Sequence, residues 1–475
     1  MTKRLNLKKV IISTIAAAFI LNGCSSTQIL DVEKKQPKVV REFVETDILK
    51  YGNFSFYAVD LKTGENVANY RGRVPLIPAS VMKIVTSATA YEVLGEDFTL
   101  KTELFYQGKL SNNGVLNGDI FIQGAGDPTL GSDGIEKKQD EFLNEWSLAI
   151  KKAGIKEIKG DIIVLDNIFG YDGISGKWLW EDMGTDYAPL TNGISVFDNI
   201  YKLYLKSDDK KVVVTKTVPK IKGLSFDNGV TISETGEENI YVRGIPFDNN
   251  RILRGVMPKN STAEISTDIP DPAMVLGECL KDSLKQDGIK MSGKVETSRT
   301  SNKKIKDGTL LATTESAPLK EMLKVLLTRS DNHYAEHIFE ILKLQGVDIV
   351  EYWKSKGINT NPLVMYDGSG LSCADRLSTE FLTQVLSYME KENKGFVELL
   401  PVAGKEGTVA KFLLNTPLSE NARIKSGSMS GVQSYAGYLD KGGKKIAFAI
   451  VVNHWNGTRQ ELRAEMEKLL NGIIE

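Results

Sequence analysis

Ser80 and Lys83 stand three residues apart in "PASVMKIVTSATA" (residues 78–90), which places them one turn apart on the same face of a helix. A serine hydroxyl is a poor nucleophile until a base takes its proton, and a lysine forced out of water is one such base. The segment reads as a helix that begins at Pro78, a residue suited to a first turn, and stops at Gly95. Val81, Met82, Ile84, Val85, Ala88, Val93 and Leu94 spread around its circumference, the pattern of a buried helix. Lys83 is its one cation. Such a lysine either reaches water with its long stem or is retained for its chemistry.

Other residues compete for the role. Ser-x-x-Lys recurs at Ser207–Lys210 and Ser301–Lys304, both in polar turns where a lysine stays solvated. Lys62-Thr63-Gly64 falls in a hairpin turn, where glycine serves a positive φ. His333, Glu336 and His337 in "HYAEH" match the H-x-x-E-H zinc-peptidase pattern, two ligands and a base on one helical face. On the motif alone, a zinc site and a plain pair of helix-surface histidines are equally good readings. A Ser-His-Asp hydrolase is not indicated, because G-x-S-x-G is missing and the one further histidine is His454.

The elements that must position these groups follow from the chain's texture. With 475 residues, 41% of them hydrophobic, there is room for two or three domains. A net charge of −1 gives no reason to expect a nucleic-acid partner. "NFSFYAVDLKTGENVANYRG" reads strand, turn at Gly64, strand. From about 101 to 310, short β-runs alternate with Gly, Asn and Asp, and two "GDI" strands hint at a repeated unit. Helical patterns return with "APLKEMLKVLL" and "HYAEHIFEILKL". "ARIKSGSMSG", "QSYAGYLDK" and "KKIAFAIVVNHW" read as an antiparallel meander, and "RQELRAEMEKLLNGII" closes the chain as an amphipathic helix. The reading is a multi-domain α/β chain. One domain is made from its two ends, 46–100 and 311–475, and a β-rich insertion, 101–310, interrupts it.

At the N-terminus, Lys3, Arg4, Lys8 and Lys9 precede an apolar run from Val10 to Leu21, too short to span a bilayer with ease. The run ends "LNGC" at Cys24, followed by "SSTQ", and resembles a bacterial lipoprotein signal, with Asn22 a departure from the small residue usual there. The resemblance implies a signal peptide at 1–23, a lipid on Cys24, a tether over 24–45 and an exported protein held on a membrane at the periplasmic or envelope face. An ordinary cleaved signal is the alternative. Whether Cys279 and Cys373 pair is left open by the sequence.

Chain order decides among the catalytic candidates. Ser80-Val-Met-Lys83 opens a buried helix, Ser330-Asp-Asn332 sits in a short break between two helical patterns, and Lys425-Ser-Gly427 lies on the first meander strand. This resembles the serine penicillin-recognising enzymes, whose motifs S-x-x-K, S-x-N and K-T/S-G run in that order. "QGAGDPTL", "DYAPLTNGISVFDN", "DGSGLS" and "PVAGKEGTV" narrow the resemblance to the DacB-type D-alanyl-D-alanine carboxypeptidase/endopeptidases, the class C low-molecular-weight penicillin-binding proteins, from about residue 45 to the end. It implies a transpeptidase-like domain, an antiparallel sheet flanked by helices, with a large insertion between the first and second motifs.

The resemblance also implies the roles. Ser80 attacks the carbonyl between two D-alanines of a peptidoglycan stem peptide, Lys83 is its base, and Ser330 relays a proton to the leaving amine. Asn332 holds the substrate amide, Lys425 and Ser426 bind the terminal carboxylate, and the backbone N–H groups of Ser80 and Ser428, just after Gly427, form the oxyanion hole. β-Lactams acylate the same serine, and no cofactor is required. Asp166, with Phe169 as an apolar wall, is expected to face the cleft and pair with a free amine on the stem. Ser426 stands where threonine is commoner, and Cys373 where a basic residue is usual. A solvated lysine is neutral in only about one molecule in 2,500 at pH 7, and bringing its pKa to about 7 takes roughly 4–5 kcal/mol. Burial and the second cation, Lys425, are the expected sources. A zinc peptidase built on "HYAEH", a β-lactamase of the same fold and a non-catalytic wall-binding lipoprotein are the rival functions.

Overall fold

The structure, a computed structural model, describes residues 36–135, 140–170 and 172–475. The signal segment and Cys24 lie outside the described residues. The two ends of the chain build one antiparallel sheet, in the order Ala422–Met429, Val432–Lys441, Lys444–Asn453, Asn53–Asp60, Asn66–Tyr70. Its middle strand is buried almost throughout, because both faces are covered. Ile446, Phe448, Ile450 and Val452 point to a core closed by the C-terminal helix Arg459–Ile474, through Leu462, Met466 and Leu469. Ala447 and Ala449 point the other way, to a core shared by the helices Met82–Leu94, Leu319–Arg329, Asn332–Leu344 and Thr379–Glu392. The two-residue period of the strand thus sorts its side chains between two helical layers. The meander and the 53–70 hairpin form as read, with Gly64 at φ 75° in the turn.

The stretch assigned to the tether ends earlier than expected. Lys38–Val44 is a helix, and Val40 and Phe43 are buried against the C-terminal helix and sheet. Two apolar side chains on one face find a core to enter, so residues 38–45 belong to the fold rather than to a linker.

Between the first two motifs the chain builds a separate set of sheets around its own core. The largest, among the described residues, runs Lys290–Met291, Glu157–Ile158, Val115–Gln123, Lys101–Leu110, Thr309–Glu315, with Ile162–Leu165 and Val295–Thr297 continuing it alongside Val115–Gln123. The two "GDI" strands lie side by side in parallel, Ile120 opposite Ile162, and Lys303 Nζ bridges Asp119 and Asp161 at 2.8 and 2.7 Å. Thr309–Glu315 pairs with Lys101–Leu110, so this sheet runs past the expected boundary at 310. The insertion is also less purely β than its texture suggests. The helices Glu141–Lys152 and Pro272–Gln286 pack on the sheet through Trp146, Ile150, Leu276 and Leu280.

Candidate active site

Ser80 lies in the 3-10 turn Ala79–Val81 that leads into Met82–Leu94, preceded by Ala79 in the left-handed region at φ 51°. Strand Ala422–Met429 closes directly on this turn. A Cβ on Gly427 would stand 2.3 Å from Ser434 Oγ and 2.9 Å from Ser80 N, so only glycine lets the third motif approach the nucleophile this closely. Ser80 is half-buried, whereas Lys83 and Lys425 have no exposed surface. Lys83 does not snorkel. Its Nζ donates to Ser80 Oγ at 2.9 Å, Asn332 Oδ1 at 2.5 Å and the carbonyl of Ser369 at 2.7 Å.

Burial drives the Lys83 ammonium down to about 8, against an upward pull from Asp367, Glu336 and Asp331. Lys425 is lowered well below the usual lysine range by its own burial and by Lys83. Its Nζ donates to Ser330 Oγ at 2.8 Å and to the carbonyl of Ser426 at 2.6 Å. Ser330 caps Leu319–Arg329 in a left-handed conformation, φ 61°, which turns its hydroxyl out of the helix, and Asp331 caps the next helix through Tyr334 N. The two hydroxyls of the first two motifs are therefore each held by a buried lysine. Asn332 is engaged at both ends, its Nδ2 donating to the carbonyl of Tyr187 at 2.7 Å while its Oδ1 holds Lys83. The Ser426 hydroxyl pairs with Thr408 at 2.7 Å, and that of Ser428 accepts from Arg459.

Residues not read from the motifs complete the site. The loop 367–372 passes under the Ser80 turn, where a Cβ on Gly370 (φ 76°) would meet the Ala79 carbonyl at 2.1 Å. Glu336 accepts from the amides of Ser369 (2.8 Å) and Gly368 (3.3 Å). Asp367 accepts from the amides of Gly370 and Ser372 and from the indole Nε1 of Trp178, each at 2.7 Å. "DGSGLS" could have flagged this loop. Nothing in the sequence could have tied Trp178, 189 residues away, to Asp367.

The zinc reading loses its geometry here. Glu336 spends both oxygens on loop amides. His333 Nε2 pairs with Ser195 Oγ at 2.6 Å, and His337 Nδ1 lies 2.8 Å from the carbonyl of His333. Burial lowers both imidazoles, His337 to about 4, so they are neutral packing groups. Among the described residues these side chains do not converge as a ligand set.

Asp166 departs from its expected place as well. It has no exposed surface, and burial first, then Asp271, push it up to about 6. Phe169 packs edge-on against His337 and lines a cavity of about 330 Å³ with Trp178, Glu336 and Tyr366, a cavity whose wall does not include Asp166. Another carboxylate of the insertion, Asp182, is linked to the motifs through Tyr187. It accepts from the Tyr187 hydroxyl at 3.2 Å, and the carbonyl of the same Tyr187 is the one that holds Asn332. Burial raises Asp182 as well. Cys279 and Cys373 are both free thiols, Cys373 exposed beside the 367–372 loop.

The chain is similar to known proteins over most of its length. Residues 38–472 match the family described as D-Ala-D-Ala carboxypeptidase 3 (S13). The chain is 26% identical to the D-alanyl-D-alanine carboxypeptidase DacB of Haemophilus influenzae over 424 residues, 85% of this chain and 86% of that one. It is also 26% identical to a D-alanyl-D-alanine carboxypeptidase of Actinomadura sp. over 431 residues, 84% of this chain and 77% of that one. The fold matches the crystal structure of penicillin binding protein 4 (dacB) from Haemophilus influenzae with a TM-score of 0.76 at 24% identity, covering 93% of this chain and 97% of that one.

Proposed function

Because the chain belongs to the D-Ala-D-Ala carboxypeptidase 3 (S13) family of serine-type peptidases, we propose that it cleaves peptidoglycan stem peptides through an acyl-enzyme on Ser80, releasing terminal D-alanine and opening D-alanine cross-links. The observation that carries this is the buried Lys83 Nζ, held 2.9 Å from Ser80 Oγ. In its neutral form Lys83 takes the Ser80 proton as Oγ attacks the carbonyl carbon between the D-alanines. The oxyanion sits at the backbone N–H groups of Ser80 and Ser428. Ser330, hydrogen-bonded to Lys425, passes a proton to the departing amine nitrogen as the C–N bond breaks. Lys425 and Ser426 face the substrate's terminal carboxylate, and water then hydrolyses the ester. Asn332 orients Lys83 in the free enzyme, a role added to its expected hold on the substrate amide.

A solved relative from Haemophilus influenzae carries a bound β-lactam, and penicillin is the corresponding probe for this chain. Fluorescent penicillin should label it stoichiometrically, equally with and without a chelator. Absence of label would favour a wall-binding protein without activity, and label lost with the chelator and restored by zinc would revive the "HYAEH" reading.

The stem's free amine is read by Asp182 in place of the sequestered Asp166. Asp182→Asn should lower kcat/KM for an amine-bearing stem peptide by about 10- to 150-fold, the range for a hydrogen bond to a charged group, and leave penicillin acylation unchanged. Should Asp166→Asn show that substrate-selective loss instead, the assignment returns to Asp166.

Cys24 carries the lipid that holds the enzyme at a membrane. Among the described residues no helix is long and apolar enough to cross one. Cys24→Ser should yield a soluble or unprocessed protein while the wild type partitions into detergent. Wild-type protein found free in the aqueous phase, with an N-terminus beyond residue 24, would remove the anchor.

A further inference from the structure

An ammonium has three N–H groups and Lys83 has three acceptors, so the protonated form is fully satisfied. The neutral amine has two N–H groups and one lone pair. Asn332 Oδ1 and the Ser369 carbonyl can only accept, while Ser80 Oγ can also donate. When both pure acceptors keep their hydrogens, the lone pair is left facing the Ser80 hydroxyl, which is the direction general-base catalysis needs.

Both acceptors are held from the insertion. Asn332 is fixed by Nδ2 donating to the carbonyl of Tyr187. The Ser369 carbonyl belongs to the loop gathered by Asp367, which also pairs with Asp375, and the insertion's side-chain donor to Asp367 is the indole of Trp178, buried beside Met183, Ala188 and Leu371. Tyr187 and Trp178 are nine positions apart on the same inserted segment. We propose that this segment of the insertion aims the lone pair of Lys83 at Ser80, Tyr187 acting through Asn332 and Trp178 acting through Asp367 as a positioning residue. The proposal rests on the reading of Lys83 as general base. It gives the insertion a part in acylation of any substrate, including a penicillin too small to span the inserted domain.

Stopped-flow acylation of the full chain by a fluorescent penicillin tests it, because saturation kinetics separate penicillin's dissociation constant from the acylation rate constant. Trp178→Phe keeps an aromatic ring in place and removes the donor, and the benzothienyl isostere of tryptophan at 178 removes the donor with the shape intact. Both should lower the acylation rate constant by about 10- to 100-fold and leave the dissociation constant within about twofold, as misplacement of a catalytic group does. Asp367→Asn should produce a similar loss, and combining it with Trp178→Phe should add little, since both break one chain of contacts. An unchanged acylation rate in the isostere variant overturns the proposal. So does a loss carried equally by the dissociation constant, which would make Trp178 a packing residue. If these results come with an inactive Lys83→Arg enzyme, the general-base reading stands and the positioning role alone falls. If Lys83→Arg acylates normally, both fall.

Discussion

Ser80→Ala is expected to abolish covalent penicillin binding. In the wild type, one adduct should appear on the tryptic peptide 74–83. In the variant that mass should be absent and stem-peptide turnover should fall by at least about 10,000-fold, as when the nucleophile of a catalytic unit is deleted. The fold should survive, because among the described residues the hydroxyl's one hydrogen bond is accepted from Lys83, which keeps Asn332 and Ser369 as partners. The competing Ser-x-x-Lys serines make the test discriminating. Ser207 is buried with its hydroxyl donated to the carbonyl of Pro258 at 2.6 Å, and Ser301 Oγ accepts a backbone N–H in a polar turn. Neither has a buried lysine within reach, so an adduct on either would overturn the assignment of Ser80.

What the sequence carried, and what it did not, divides by the range of the interaction. The Ser80 helix and the meander are local patterns that form where the sequence places them, except that the α-helix starts at Met82 and Ser80 lies in the 3-10 turn before it. The insertion's helices Glu141–Lys152 and Pro272–Gln286 are hidden in the sequence by the Gly- and Asp-rich turns on either side, which dominate its texture. The resemblance puts Asp166 at the cleft, yet a strand-end carboxylate is positioned by what folds over it, here Ser298 and the 193 turn, whose amide bonds to the Asp166 carbonyl. The contacts that orient Lys83 are the least legible of all. Trp178 to Asp367 and Asn332 to Tyr187 join residues 189 and 145 positions apart, and no spacing rule encodes them. The buried lysine itself was legible as a conflict between an apolar helix and a charge, which is how a functional group shows itself when local rules disagree.

Lys83→Arg should leave a folded protein whose acylation is slower by at least about 100-fold, the low end for loss of a general base. Guanidinium keeps the charge that Asp367 and Glu336 face, but it does not give up its proton near neutral pH. The wild-type pH dependence supplies the sign. With Lys83 lowered to about 8 and the base active when neutral, acylation should rise about tenfold per pH unit below that value and level above it. At pH 7 roughly one molecule in ten is then competent, against about one in 3,000 for a lysine at 10.5. Glu336, pushed up to about 8 by burial and Asp367, titrates in the same range, so the measured limb belongs to the pair. Glu336→Gln separates them. It removes the Glu336 charge that pulls Lys83 upward, and should move the limb to lower pH. Acylation flat from pH 6 to 9 in the wild type would mean that proton removal from Ser80 is not the work of Lys83.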